Sequence, residues 1–430
     1  MPVRRVLVVG VDGVRLDTLR RLPTPHLDAL AADGFLTPVE VDDDTPTLSG
    51  PCWATIVTAV DVAKHGVWSN DLSGHRLDVF PDFATRLDRH DGRRTFVAAG
   101  WRPLLQPCDG GPLFRSPSST VHIAPRAETP EAWEECDGRI TEAAVRVLAE
   151  DDVAASFVYL GAPDETAHVL GCGEAYERAV CRADAWLGRL LAAVRSRPAY
   201  GDEEWTFLVV TDHGHADAGG HGGRTAAERT AWLVAAGPGI GPAAPRRIRH
   251  ADVAAQVFAA LGRHPDRHWT FDGRPFAARP HAVLFDLAGT ESRSLTPDHL
   301  GDVVELLTLL GELEIPTALV SASSRPDADA VLKTLDTAGA PAFATTVAVG
   351  ETSRTAPASA PYLAAARTLG ADPAACLAVT GSTAGLTAAE AAGCRVLAVP
   401  ASTPLAPAPR RTVRRGLTGL DAAELWAAGL

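Results

Sequence analysis

Asp12, Asp164, His168, Asp212, His213 and His221 are the residues of this 430-residue chain whose types and spacing could do chemistry together. Mixed carboxylate and imidazole side chains are ligands for divalent cations, and a pair of cations needs about six or seven of them with positions left open for substrate. Such a mixture suits Zn2+, and Mn2+ or Fe2+ can also be accommodated. Asp12 follows a short apolar run, Val6 to Val9. Asp164 and His168 stand four apart, so one helical turn puts both on one face. Asp212 and His213 are adjacent at the end of another apolar run, and His221 lies in Gly219-Gly220-His221-Gly222-Gly223. Glycines around a histidine let backbone approach a ligand at low steric cost. Each residue alone has a blander reading: an Asp-Gly turn for Asp12, a surface helix pair for Asp164 and His168, a solvated loop for His221. As an ordered set they point to a metal centre.

Positioning them requires strands that end at one place. Arg5–Gly10, Phe157–Leu160 and Phe207–Val210 read as buried strands, each running into one of the polar clusters. In open α/β sheets ligands bind outside the carboxyl ends of the strands, so three such strands would deliver three carboxylates to one edge. Between them Glu174–Arg197 has helical periodicity, with Ala179, Val180, Ala183, Trp186, Leu187, Leu190 and Leu191 on one side. This alternation of apolar runs and amphipathic stretches predicts an α/β fold with a mainly parallel sheet.

The length exceeds what one core usually supports. Periodicity is lost over 263–280, and a second α/β unit then reads as strand Ala282–Phe285, helix His299–Leu313 and strands Thr317–Ser321 and Cys376–Val379. The predicted organisation is therefore a domain over 1–265, a smaller Rossmann-like one over 281–402, and a tail over 403–430. The tail reads as a Pro/Ala-rich linker and one terminal helix, with Arg410, Arg411, Arg414 and Arg415 as a solvated face.

A formal net charge of -13 argues against a nucleic-acid partner, which would need clustered Lys and Arg. An acidic protein that handles phosphates can bring positive charge locally as metal ions. No apolar stretch approaches the roughly 20 residues needed to span a bilayer, and the first apolar run is too short for a signal-peptide core. Seven scattered cysteines without a CxxC pair suit a reducing compartment, so the expectation is a cytoplasmic protein with no membrane partner.

The segments Gly10-Val11-Asp12-Gly13, Thr211-Asp212-His213-Gly214 and Gly220-His221-Gly222 resemble the metal motifs of the alkaline phosphatase superfamily, nearest to its nucleotide pyrophosphatase/phosphodiesterase-like branch. Ala235-Ala236-Gly237-Pro238-Gly239 is similar to the apolar strand that follows in that family, which favours His221 over His215 or His250 as the third histidine ligand. The branch has a hydroxyl nucleophile before a Pro and an Asn at a set distance. Placing Asn70 of His65-Gly66-Val67-Trp68-Ser69-Asn70 on that Asn puts Ser49 of Ser49-Gly50-Pro51 at the nucleophile.

The resemblance spans residues 1–265 and implies an alkaline-phosphatase-like sandwich. It implies one cation on Asp12, Asp212, His213 and the Ser49 oxygen, and a second on Asp164, His168 and His221. Ser49 would attack phosphorus and form a phosphoseryl intermediate, with Asn70 donating to a phosphoryl oxygen. The implied activity is metal-dependent hydrolysis of a phosphodiester, pyrophosphate or phosphomonoester in a small phosphorylated substrate. A phosphonate hydrolase or phosphomutase-type transferase on the same scaffold, or a non-catalytic ligand-binding protein, is the alternative. The branch often carries Thr as nucleophile and Asn after the Pro, where this chain has Ser49 and Cys52.

Ser49 could also cap the helix that follows it. His65, His215, His250 and Asp217 are expected to stand behind the ligands or in solvent, and Trp53, Trp68 and Trp101 to pack in the core. Within residues 80–134, Arg102, Arg115 and Arg126 are candidates for gripping a terminal phosphate or carboxylate.

In the second domain, Phe285-Asp286-Leu287-Ala288-Gly289-Thr290, Ser321-Ala322-Ser323-Ser324 and Val379-Thr380-Gly381-Ser382 through Gly393 resemble haloacid dehalogenase-like phosphatases. The general acid/base position is Ala288, the region of the family's Lys reads Thr355-Ala356-Pro357-Ala358, and Thr380 and Gly381 replace acidic Mg2+ ligands. These departures predict an inactive domain that shapes the first site, binds a phosphorylated ligand through Ser321, or supports a homodimer.

Overall fold

The computed structural model describes residues 3–241, 244, 247–263, 267–276, 280–287, 297–399, 405–406, 408, 410–420, 425 and 428. The chain divides into two units, Met1–Ala277 and Ala278–Leu430. The first runs past residue 265 because aromatic residues continue its core. Trp269 and Phe271 pack on Phe258 at ring distances of 5.2 and 5.7 Å, the Arg86 guanidinium lies 4.7 Å over Trp269, and Phe276 is buried. Over the described residues 267–276, lost periodicity marks irregular backbone that packs on the core and not an exposed linker.

Among the described residues the first unit holds β1 (Val3–Val11), β2 (Phe35–Glu40), β3 (Thr95–Ala99), β4 (Ser119–His122), β5 (Ala155–Leu160), β6 (Glu203–Val210) and β7 (Thr230–Ala236). Their order is β2-β7-β6-β1-β5-β3-β4. β1 lies between β6 and β5 and runs parallel to both, while β7 is antiparallel to β6 and β2 to β7, so the sheet is mixed. Both faces are covered, which is why the central strands read as unbroken apolar runs. Val6 and Val8 pack on one face with Trp53, Phe157 and Leu208. Leu7, Val9 and Val11 face the other, with Val158, Phe207 and the helices Pro130–Glu150 and Glu174–Arg195. On that second helix the predicted apolar side is buried except for Trp186, which is only partly covered.

The second unit holds β8 (Ala282–Asp286), β9 (Thr317–Val320), β10 (Thr345–Val347), β11 (Cys376–Thr380), β12 (Arg395–Ala398) and β13 (Arg411–Val413), ordered β10-β9-β8-β11-β12-β13 and parallel throughout. Pro297–Glu312 is the predicted helix. The basic stretch near Arg411 is a strand where a linker was expected. It pairs with β12, and Arg411 forms an ion pair with Glu390 at 2.5 Å. The predicted terminal helix falls largely outside the described residues. All seven cysteines are free, and no helix among the described residues is long and apolar enough to cross a membrane.

Candidate metal centre

Parallel register brings the ends of β1, β5 and β6 to one edge: Val11 lies opposite Leu160 and Gly10 opposite Val210. Asp12 leaves that edge with its N–H donated to Leu160 O at 3.0 Å, and Asp212 leaves two residues after β6 ends. Asp164 and His168 lie on the helix Ala162–Leu170, which follows β5 directly.

The inner cluster is Asp12, Asp212 and His213, all fully enclosed. Asp12 Oδ2 accepts from Trp53 Nε1–H at 3.0 Å and from the Tyr159 hydroxyl at 2.7 Å. Asp212 Oδ1 accepts from Gly13 N–H at 3.2 Å. Asp12 Oδ1 and Asp212 Oδ2 are buried with no hydrogen-bond partner. They face His213 Nε2 at 3.8 and 3.2 Å, and Ser49 Oγ lies 3.4 Å from the same nitrogen. His213 Nδ1 is 3.1 Å from Gly214 O. A carbonyl cannot donate, so in the neutral ring Nδ1 carries the proton and Nε2 presents a lone pair.

One lone pair, two unpartnered carboxylate oxygens and the Ser49 hydroxyl thus converge, and the hydroxyl is the one donor among these groups. Burial, and then the charge of Asp164, push Asp12 up to about 7, and Asp212 is raised well above the carboxylate range by burial and by Asp12. Burial, more than the neighbouring imidazoles, holds His213 far below its ordinary value. Such groups want a cation, and a divalent metal fits them.

The outer cluster is Asp164, His168 and His221. His168 Nε2 and His221 Nε2 are 2.9 Å apart, and Asp164 Oδ2 is 3.4 Å from His168 Nε2. His221 Nδ1–H donates to Thr47 O at 2.7 Å, which again leaves Nε2 as the lone pair. A histidine that donates its far N–H to a backbone carbonyl is the usual arrangement of a metal ligand. Burial opposes ionisation of Asp164, but the hydrogen bond from His215 and the imidazoles of His213, His215 and His221 outweigh it and hold the carboxyl well below its usual range. Burial also lowers His221. The His168 side chain is 40% exposed, so this cluster opens to solvent while the inner one does not.

Ser49 opens the helix Ser49–Thr58. The capping position is Leu48, so the Ser49 hydroxyl is not the helix cap and stays available at the first turn, where backbone N–H groups lack partners. Asn70 Oδ1 accepts from Gly50 N–H at 2.8 Å, which fixes the amide and leaves Nδ2–H to donate. His65 ties this loop to the helix. Its Nδ1 accepts from Val67 N–H at 3.1 Å, so Nε2–H donates to Thr55 Oγ1 at 3.0 Å, and Thr55 donates to Pro51 O.

His65, His215 and His250 are buried, whereas Asp217 is exposed and pairs with Arg15. Trp53 is core, with its indole N–H on Asp12, and Trp101 packs against the core. Trp68 is 53% exposed, because its loop turns it outward beside Asn70, and so corrects the expectation that it packs inside. Arg115 pairs with Asp78 and Arg126, at the surface, with Glu135. Sequence reasoning missed Tyr159, Asp137 and the contact of His215 with Asp164. The Asp-His-Gly-His run was the available signal for His215.

In the second unit, Asp286 Oδ2 accepts from Thr380 Oγ1 and Ser382 Oγ, both at 2.9 Å. A Cβ on Gly385 would sit 1.9 Å from that oxygen. Hydroxyl donors stand where acidic Mg2+ ligands would be needed, so these residues do not fit the family's metal.

Residues 6–269 match the sequence model of the type I phosphodiesterase / nucleotide pyrophosphatase family, and residues 275–393 match that of haloacid dehalogenase-like hydrolases. The chain is 26% identical over 236 residues to ectonucleotide pyrophosphatase/phosphodiesterase family member 7 of Mus musculus, covering 50% of this chain and 51% of that protein. It is 25% identical over 228 residues to the Homo sapiens protein of the same name, covering 49% of this chain and 47% of that one. It thus spans about half the length of the curated relatives it matches. Among solved structures, a 2-O GAG sulfatase superimposes with a TM-score of 0.50 at 14% identity over 64% of this chain and 73% of that one, a likeness of fold.

Proposed function

Because the chain belongs to the type I phosphodiesterase / nucleotide pyrophosphatase family, we propose that it cleaves a phosphoric ester or pyrophosphate bond in a small phosphorylated substrate, with Ser49 as nucleophile and two divalent cations, zinc by preference. Asp12, Asp212, His213 and Ser49 would hold one cation, and Asp164, His168 and His221 the other. When bound, the pair neutralises the clustered carboxylates, favours the ionised hydroxyl and shares the charge on the phosphoryl oxygens. The observation that carries this reading is the convergence of the unpartnered Asp12 Oδ1 and Asp212 Oδ2 beside Ser49 Oγ and His213 Nε2.

In the proposed reaction Ser49 Oγ attacks phosphorus in line, the P–O bond to the leaving group breaks, and a phosphoseryl group is later released by water. The start of the Ser49–Thr58 helix favours the negative charge of the phosphoryl group. Asn70, held through its Oδ1, donates from Nδ2 to a phosphoryl oxygen. The exposure of His168 gives water a route to the outer cluster.

The test is a paired assay of zinc-reconstituted protein on an aryl phosphate monoester and the matching diester, with elemental analysis of bound metal. Ser49→Ala should lower turnover about a thousandfold or more, as loss of a nucleophile does, while Asp286→Asn in the second unit should leave it unchanged. Full activity in Ser49→Ala would sink the proposal.

A further inference from the structure

We infer that His215 is a positioning residue for the outer cation: its single hydrogen bond to Asp164 sets which carboxylate oxygen that ligand offers. The inference rests on the metal-dependent reading above. His215 Nε2 lies 2.9 Å from Asp164 Oδ1, inside the protein. Asp164 Oδ2 is then the oxygen turned toward His168 Nε2, at 3.4 Å, while Oδ1, besides meeting His215, stands 3.6 Å from His221 Nε2. A carboxylate with both oxygens unrestrained would rotate about its terminal bond, and a donor on one oxygen removes that freedom.

His215 differs from His213 and His221, two of the three histidines assigned as ligands. His213 and His221 each donate Nδ1–H to a backbone carbonyl and present Nε2. The Nδ1 of His215 has no hydrogen-bond partner, and its Nε2 is already committed to Asp164. It therefore lacks the backing those two imidazoles have, although it stands with Asp164 and His213 in a third group whose atoms lie close enough to share an ion.

The surroundings hold the pair together. A Cβ on Gly13, whose φ is +66°, would stand 2.5 Å from His215 Nε2 and 2.6 Å from Asp164 Oδ1, so only glycine leaves room for the contact. Arg15 donates to His215 O at 3.3 Å while paired with Asp217, and Ala216 N–H donates to Gly220 O at 3.0 Å, closing the loop that carries all three histidines.

The test is zinc titration of the full chain against a chromophoric chelator, comparing wild type, His215→Phe and His215→Gln. Wild type should bind two equivalents. His215→Phe keeps the ring's bulk without a donor, and should weaken one equivalent by about ten- to a hundredfold while the other is unchanged. The unchanged equivalent reports that the variant is folded. Gln restores an amide donor and should recover most of the loss. If His215→Phe does not fold, His215→Asn, whose amide stops short of Asp164, replaces it with the same expectation.

If Phe keeps both equivalents, His215 is packing only; if Gln binds no better than Phe, His215 is itself a ligand. Either result overturns the inference. Those failures leave the proposed function standing, because wild type would still bind two equivalents and depend on Ser49. Wild type that binds none would overturn both.

Discussion

Asp12 Oδ1 is the atom left to a cation because Oδ2 already accepts two hydrogen bonds, from Trp53 and Tyr159. Tyr159→Phe removes the shorter of these without changing the ring. It should weaken zinc binding at the proposed inner site about tenfold and cost the metal-free protein about 1 kcal/mol, read by chelator competition and urea denaturation. An unchanged zinc affinity would mean that Trp53 alone fixes Asp12. At this scale the candidate ligands could be named from the sequence and the residues behind them could not. Asp12 announces itself as an acidic residue in a Gly-Val-Asp-Gly stretch after an apolar run. Tyr159 meets it only because β1 and β5 pair with Gly10 opposite Tyr159, a juxtaposition of residues 147 apart that no local pattern encodes.

Among the elements, the helix Ala162–Leu170 has the most delicate task, since it aims Asp164 and His168 yet has no side-chain cap of its own. Asp137, from the helix Pro130–Glu150, takes over. Its carboxylate accepts from Gly161 and Ala162 N–H at 3.0 and 2.9 Å. Asp137→Ala should cost about 1–3 kcal/mol by leaving those buried donors unpaired, and should weaken zinc binding at the proposed outer site more than at the inner one. Asp137→Asn, which keeps an acceptor, should lie between. Equal stability of wild type and Asp137→Ala in denaturant would remove Asp137 from this role. Three central strands and the edge they share could be read from apolar runs. The short β10, β12 and β13 could not, and β13 least of all, because an Arg-rich stretch after prolines looks like solvent-facing chain until a neighbouring strand pairs with it.

For the molecule as a whole, buried neutral histidines tie stability to pH. Burial pushes His65 down to about 3 and His250 down to about 4. The folded protein keeps both rings neutral, while the unfolded chain takes up protons below about 6.5. Their contribution is therefore complete above that value and is lost as pH falls toward the folded values, at about 1.4 kcal/mol per pH unit for each ring. Raised carboxylates such as Asp137, at about 7, act with the opposite sign, losing stability as pH rises from about 4. The clean comparison is thus wild type against His250→Gln. The variant's stability should change less steeply between pH 4.5 and 6.5, by about 1.4 kcal/mol per unit. Parallel curves from urea titrations at several pH values would show that His250 binds protons equally in the folded and unfolded states. The two-unit organisation was legible from the restart of strand and helix patterns near residue 282. The extent of the first unit was not, since Trp269 and Phe271 join its core from irregular backbone.

β1 stands at the centre of the seven-stranded sheet, yet it precedes both of its neighbours in the chain by a long way. A ribosome that has just made Val11 must add some 140 residues before β5 exists, roughly 7 to 28 seconds at about 5–20 residues per second. β6 arrives later still. During that interval a strand reading Val-Leu-Val-Val-Gly-Val has neither edge paired, which is the condition under which nascent chains stick to one another. Asp12 waits with it, and His221 is the last of the proposed ligands to be made. The proposed centre can therefore be assembled only when the first unit is nearly finished.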